Sequence, residues 1–145
     1  MDNNSSKLYN FYIFNRKGKC LYYKEWNRQI NTLSDDPEEE KKLVYGMLFS
    51  LKDLASKLSP TPNTEIHTVK TNVFALHHFQ SLTGMVFVMN TSIDINDLYQ
   101  SLQHIYANIY VDCVIKNPLY RFSPDDIIDC PLFNSKLEEY VKTLQ

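Results

Sequence analysis

Glycine is scarce in this sequence: among 145 residues there are three, Gly18, Gly46 and Gly84. They stand too far apart to write either the phosphate-cradling P-loop or the G-x-G-x-x-G turn of dinucleotide-binding folds, which excludes both glycine-loop nucleotide sites. Cysteine is equally sparse, and Cys20, Cys113 and Cys130 form an odd set without any C-x-x-C spacing. Such thiols suit a reducing, cytoplasmic compartment rather than a disulfide framework. No cationic excess exists: Lys plus Arg number 15 against 17 Asp plus Glu, a formal net charge of -2. Bulk electrostatics therefore draw the chain toward neither nucleic acid nor anionic lipid. Long apolar runs are missing too, the longest being a handful of residues where a bilayer crossing needs about 20. The lead Met1 to Ser6 offers no basic or apolar region for a signal peptide, and Asp2 stands where myristoylation requires glycine. Membrane contact is expected to be peripheral.

What is present is a composition that can bury a core, 43% hydrophobic and 22% charged. At this length a single domain spanning 1–145 is expected, with no repeat, low-complexity tract or linker to mark a second. Leu8 to Phe14 and Cys20 to Trp26 are aromatic-rich strand candidates around Asn15 to Lys19, a hairpin whose Gly18 can take the positive φ of a tight loop. Alternation sets Tyr9, Phe11 and Ile13 on one face of the first strand and Leu8, Tyr12 and Phe14 on the other, so both faces need cover.

Asp36 as a cap, Pro37 in the first turn and Glu38 to Glu40 at the positive end of the helix dipole predict a helix start. Leu43, Val44, Met47, Leu48, Leu51, Leu54, Ala55 and Leu58 form its apolar stripe, and Pro60 ends it. Thr64 to Thr71, Val73 to Gln80 and Met85 to Asn90 read as an antiparallel meander with turns at Thr71-Asn72 and Ser81 to Gly84. Met85 to Met89 is apolar at every position, as in a strand covered on both faces. Asp94 is placed to cap a second long helix in which Ile95, Leu98, Leu102, Ile105, Ile109 and Cys113 share a face, ending near Asn117-Pro118. After a looser segment with Pro124 and Pro131, the spacing of Leu137, Val141 and Leu144 predicts a short final helix within Leu132 to Leu144. The order is ββαβββαα, an α/β (α+β) pattern.

Chemistry-bearing groups are present but not arranged. His67, His77, His78 and His104 lack an H-x-x-x-H spacing, and the consecutive His77 and His78 project to opposite faces of a strand, so they read as sheet or surface imidazoles. Cys113 falls on an apolar helix face, where thiols are inert packing groups. Glu38 to Glu40 answer to the helix dipole and Asp125-Asp126 to a polar loop. No catalytic residue, cofactor or metal is expected. One feature does not suit a solitary domain. Tyr45 and Phe49 lie one turn apart on the first long helix, roughly opposite its stripe, with Lys52 and Ser56 beside them, so both rings are expected to be exposed. Val111 and Ile115 point away from the buried face of the second long helix in the same fashion. Aromatic pairs are enriched at interface cores, which makes this a candidate partner surface.

Five blocks carry a resemblance that runs nearly end to end: YNFYIFNRKGKCLYYKEWNR (Tyr9 to Arg28), EEEKKLVYGMLFSLKDLASKLSP (Glu38 to Pro60), ALHHFQSLTGMVFVMNTS (Ala75 to Ser92), HIYANIYVDCVIKNPL (His104 to Leu119) and LFNSKLEEYV (Leu132 to Val141). The sequence resembles the subunit 1 family of the trafficking protein particle (TRAPP) complex, longin-like small subunits. The resemblance implies a longin/profilin-like fold, a five-stranded antiparallel sheet flanked by helices on both faces. It also implies a non-catalytic structural subunit that assembles with a longin-like paralogue and the palmitoylated subunit. The assembled core promotes GDP release from a Rab GTPase in ER-to-Golgi transport, which places the chain in the cytoplasm, peripherally at cis-Golgi and ER-to-Golgi membranes through the complex. Candidate contact residues are Tyr45, Gly46, Phe49 and Lys52 in the YGMLFSLK block, and Lys116, Asn117 and Pro118, which also read as an ordinary helix terminator. The alternative is a longin-type small coat-adaptor subunit binding cargo or coat partners, against which the YGMLFSLK and KNPL blocks weigh. A longin SNARE needs a heptad segment and usually an anchor, which the sequence to Gln145 lacks. A profilin-like small-molecule domain needs convergent polar groups in a pocket.

Overall fold

A strand that is apolar on both faces belongs in the interior of a sheet with a layer on each side, and strand β1 (Leu8–Phe14) has that place. The computed structural model describes residues 7–26, 37–58, 68–72, 74–120 and 127–144. In chain order the further elements are β2 (Cys20–Glu25), α1 (Pro37–Leu58), β3 (Thr68–Lys70), β4 (Ala75–Gln80), β5 (Val86–Thr91), α2 (Tyr99–His104), a π-helical continuation (Ile105–Ile115) and α3 (Pro131–Val141). The strands form one antiparallel sheet in the order β2-β1-β5-β4-β3. This is the expected ββαβββαα arrangement, a five-stranded antiparallel sheet with helices. Asp36, Pro60, Thr64 to His67, Val73, Pro124 and Asp125-Asp126, all used in the sequence reading, lie outside the described residues.

The two faces are covered unequally. On the larger side Phe11, Ile13, Phe87 and Met89 pack beneath α2, its π-helical continuation and α3, in a core that includes Leu102 and Phe133, all fully buried. On the smaller side Tyr12, Phe14, Leu76, Val86 and Val88 receive only Val44 and Leu48 of α1 as buried partners. Leu8 departs from strict alternation. It joins Phe11 and Ile13 instead of Tyr12 and Phe14, because the β1–β5 register shifts between Leu8 and Asn10 and resets which face the chain presents.

The small sheet face also explains why the apolar stripe of α1 is only half used. Val44 and Leu48 are buried and Met47, Leu51 and Ala55 half-buried, but Leu43, Leu54 and Leu58 are exposed, since no sheet surface lies under that flank. The β1–β2 loop is built around Asn15, whose buried amide oxygen accepts the N–H groups of Lys17 and Lys19 at 2.9 Å each, while Gly18 takes φ +89°. Gly84 takes φ +92° in the β4–β5 turn.

The second long helix differs from its expected form twice. Asp94 does not cap it; Asp94 pairs with Lys7 at 2.7 Å, and Asp97 accepts the N–H of Tyr99 at 3.0 Å where α2 begins. From Ile105 onward the helix widens, closing with the Lys116 N–H on the Val111 carbonyl five residues back at 2.8 Å. Widening turns Tyr110 and Val114 into the core beside Ile105, Ile109 and Cys113.

Candidate functional site

Helix α1 reaches the sheet end where the two tight turns meet, and three of its side chains make the connection. The Tyr45 ring packs 5.3 Å from the ring of Phe14 and leans over Gly18, and its hydroxyl donates to the Arg16 carbonyl at 3.4 Å. Lys52 donates to the side-chain oxygen of Gln80 at the end of β4. Lys41 holds its ammonium 5.5 Å from the Tyr23 ring centroid on β2.

Phe49, one turn beyond Tyr45, is 67% exposed, and Gly46 is open with no atom near the place a β-carbon would take. The expected pairing of two exposed rings is thus half right. Phe49 faces outward, whereas Tyr45 is half-buried because the missing side chain at Gly18 leaves a seat for its ring. Across the helix from Phe49, Leu43, Leu54 and Leu58 are exposed at 42%, 52% and 74%, a leucine flank that the sequence reading had placed in the core. Stopping the wheel at the width of the sheet face beneath it would have revealed that flank.

The second candidate group sits on the opposite side of the sheet, at the end of the π-helical stretch, so the structure does not unite it with the α1 group. Asn117 is half-buried; its side-chain oxygen accepts the Leu119 N–H at 3.0 Å and its amide reaches the Cys130 sulfur at 4.0 Å. These are terminator contacts. Lys116 and Pro118 are exposed, flanked by Ile115 and the almost fully exposed Leu119. Val111, expected to be outward with Ile115, is instead half-buried against the core, a consequence of the wider helical spacing.

The thiols and imidazoles of the described core are held by packing and hydrogen bonds. Burial pushes the thiols of Cys20 and Cys113 upward, away from the thiolate form. His77 and His78 are both buried on β4, and His77 is engaged with Thr91 and the Leu98 N–H. Among the described residues no three His, Cys, Asp or Glu side chains are grouped to hold a metal ion, and no helix is long and apolar enough to cross a membrane. An open groove of about 430 Å³ separates the π-helical stretch from α3, lined by His104, Asn108, Asp112, Lys136 and Glu139. Its His104 ring is stacked 4.4 Å from Tyr140 and bonded to Asn108 at 2.8 Å, so those donors are already engaged.

Comparison with known proteins adds what geometry does not. The sequence profile of the Sybindin-like family matches residues 8–144. The chain is similar to trafficking protein particle complex subunit 1 of Homo sapiens, 38% identical over 138 residues that cover 94% of this chain and 93% of the relative. The subunit of the same name from Dictyostelium discoideum is 36% identical, with 94% and 96% covered. Trafficking protein particle complex subunit BET5 of Saccharomyces cerevisiae is 34% identical, with 82% and 80% covered.

Proposed function

The chain belongs to the Sybindin-like family, and on that footing we propose that it is a non-catalytic subunit of a trafficking protein particle complex in ER-to-Golgi vesicle transport. In this reading it contributes part of a composite surface that accelerates nucleotide exchange on a Rab GTPase. Its neighbours are other small subunits, a longin-like paralogue and the palmitoylated one, and it reaches cis-Golgi membranes peripherally with them.

The observation that carries the reading is the outer surface of α1. Leu43, Leu54 and Leu58 form an exposed apolar flank and Phe49 stands exposed across the helix, on an element whose inner side is already seated on the sheet. A helix that presents leucines and a phenylalanine to solvent after its own core is satisfied offers a protein-binding face. Nucleotide exchange asks no bond making of the factor. It asks for tighter binding to the opened GTPase than to its closed, GDP-bound form, which a packed surface supplies without nucleophile or metal.

Affinity purification of the tagged chain from cells, followed by mass spectrometry, tests the assignment: recovery of the trafficking particle subunits is expected, and recovery of clathrin-adaptor chains in their place overturns it. The isolated chain is expected to release no GDP from a Rab GTPase, and measurable release by the chain alone contradicts the composite surface.

A further inference from the structure

Helix α3 runs antiparallel to the π-helical stretch. The ring of His104, just ahead of that stretch, stacks 4.4 Å from the ring of Tyr140 near the end of α3, whereas Cys113, near its close, accepts the Cys130 thiol on its carbonyl at 3.4 Å where α3 begins. The open groove of about 430 Å³ lies along this pair, with the buried Ile109 and Cys113 as its floor. Three charges line it: Asp112 on the π-helical wall, and Lys136 and Glu139 on the α3 wall. All three are exposed, and among the described residues none of them is held in an ion pair. The neighbouring Glu138 is already engaged with Trp26 and Lys24, which leaves Glu139 as the carboxylate that α3 presents to the groove. Two carboxylates against one ammonium make the lining net acidic. His104 is exposed yet fixed, by the stack on Tyr140 and by the Asn108 amide donating to Nδ1 at 2.8 Å. A flat ring held in place beside free carboxylates is a prepared surface, which lowers the ordering cost of binding.

We infer that this groove binds a peptide segment of a partner protein through an arginine side chain. Charge complementarity selects a cation, and the fixed ring selects its kind. A guanidinium is planar, carries donors along its edges for carboxylates and stacks on aromatic faces, whereas an ammonium is a compact, strongly hydrated point charge. Shape selects a chain over a free small molecule. Small ligands are held where most of their surface is enclosed, but this groove is open along its length, as a segment that continues past it requires. Lys136 opposes the cation, so the sign of its contribution is itself a prediction. The inference is independent of the α1 flank and of which complex the chain enters.

Heteronuclear NMR titration of the full chain with a Gly-Arg-Gly-Arg-Gly peptide tests it, with the peptide bearing Glu in place of Arg, and argininamide, as comparisons. Saturable shifts of amides within 104–113 and 136–143 are expected for the arginine peptide, weakened several-fold between about 0.05 and 0.5 M salt. The glutamate peptide should not saturate, and argininamide should bind at least about tenfold more weakly than the peptide. Asp112→Asn with Glu139→Gln weakens binding about tenfold, and Lys136→Gln tightens it about threefold, a gain that loss of a structural contact does not produce. The three side chains are exposed, so thermal melts of these variants are expected to match wild type. Saturation by the glutamate peptide, shifts gathered outside these two stretches, or no saturation at millimolar arginine peptide overturns the inference. So does binding that ignores the three substitutions, or argininamide bound as tightly as the peptide, since the groove then recognises no chain segment.

Discussion

The ring of Tyr45 rests on the α-carbon of Gly18: a β-carbon there would stand 2.9 Å from Cε2 and 3.0 Å from Cδ2. This contact locks α1 to the β1–β2 loop, and it makes Gly18 doubly constrained, by its positive φ and by the ring above it. Gly18→Ala is expected to cost about 2 kcal/mol, of which about 1 is the left-handed backbone strain and the rest the displaced ring. In a Tyr45→Ala background only the strain term should remain. Urea titrations of the four proteins of that cycle measure the coupling, and strictly additive costs would mean that the ring moves aside freely.

His77 should make stability fall on acidification. Its Nδ1 accepts the Leu98 N–H at 3.2 Å, so Nε2 carries the proton toward Thr91 at 2.9 Å, and the Thr91 hydroxyl donates on to the Ser92 carbonyl at 3.0 Å. Full burial pushes its pKa from 6.5 down to about 4. The unfolded chain therefore binds the proton first, and the contribution of neutral His77 is complete above pH 6.5 and declines as pH falls toward 4, by up to roughly 3 kcal/mol. Denaturant melts at pH 7, 5.5 and 4.5 should show this slope, and His77→Asn should flatten it relative to wild type. An unchanged slope in the variant would assign the acid sensitivity elsewhere.

Glu138 on α3 gathers two groups from the other end of the fold. It accepts from the indole N–H of Trp26 at 3.1 Å and pairs with Lys24 at 2.7 Å, tying α3 to strand β2. Both charges are about a third exposed, so Glu138→Ala is expected to cost only about 1 kcal/mol. Trp26 is the sole tryptophan, so its fluorescence reports on this clamp alone. A red-shifted emission maximum in Glu138→Ala, retained near wild type in Glu138→Gln, is the expected outcome; an unshifted spectrum in the alanine variant would place the indole outside the clamp.

Patterns that depend on local sequence were legible: the hairpin through Gly18, the turn at Gly84, the two-faced apolar strands and the end of the second long helix ahead of Asn117-Pro118 follow from period, turn chemistry and breakers, whereas its start was not, since Asp94 is drawn to Lys7 and the helix begins only at Tyr99. Features that depend on what lies opposite were not. The face of Leu8 is set by a register shift against β5, and the fate of Tyr45 by the absence of a side chain on another element. Tyr110 and Val114 reached the core because the helix there is wider than the 3.6-residue period used to read it. At the candidate surface the outward Phe49 was legible, whereas the leucine flank was not, since a wheel counts apolar positions without knowing the width of the sheet beneath.

The same geometry separates two aromatic residues that the sequence treats as a pair, and the separation can be measured. Phe49 is two-thirds exposed, so Phe49→Ser is expected to leave stability within about 0.5 kcal/mol of wild type. Tyr45→Ser removes the ring tilted against that of Phe14 and the bond to the Arg16 carbonyl, and should cost about 1–2 kcal/mol. By contrast Phe133, fully buried with edge-to-face neighbours Tyr22 at 5.0 Å and Tyr110 at 6.2 Å, marks the scale of a true core loss at about 3–5 kcal/mol for Phe133→Ala. If α1 is a partner face, partner capture should follow exposure and not stability. Phe49→Ser, or Leu54→Ser on the opposite flank, should reduce co-purification of other subunits several-fold while melting as wild type does. A partner yield that instead tracked the melting temperatures of the three variants, with Phe49→Ser and Leu54→Ser captured normally, would move the interface off this helix.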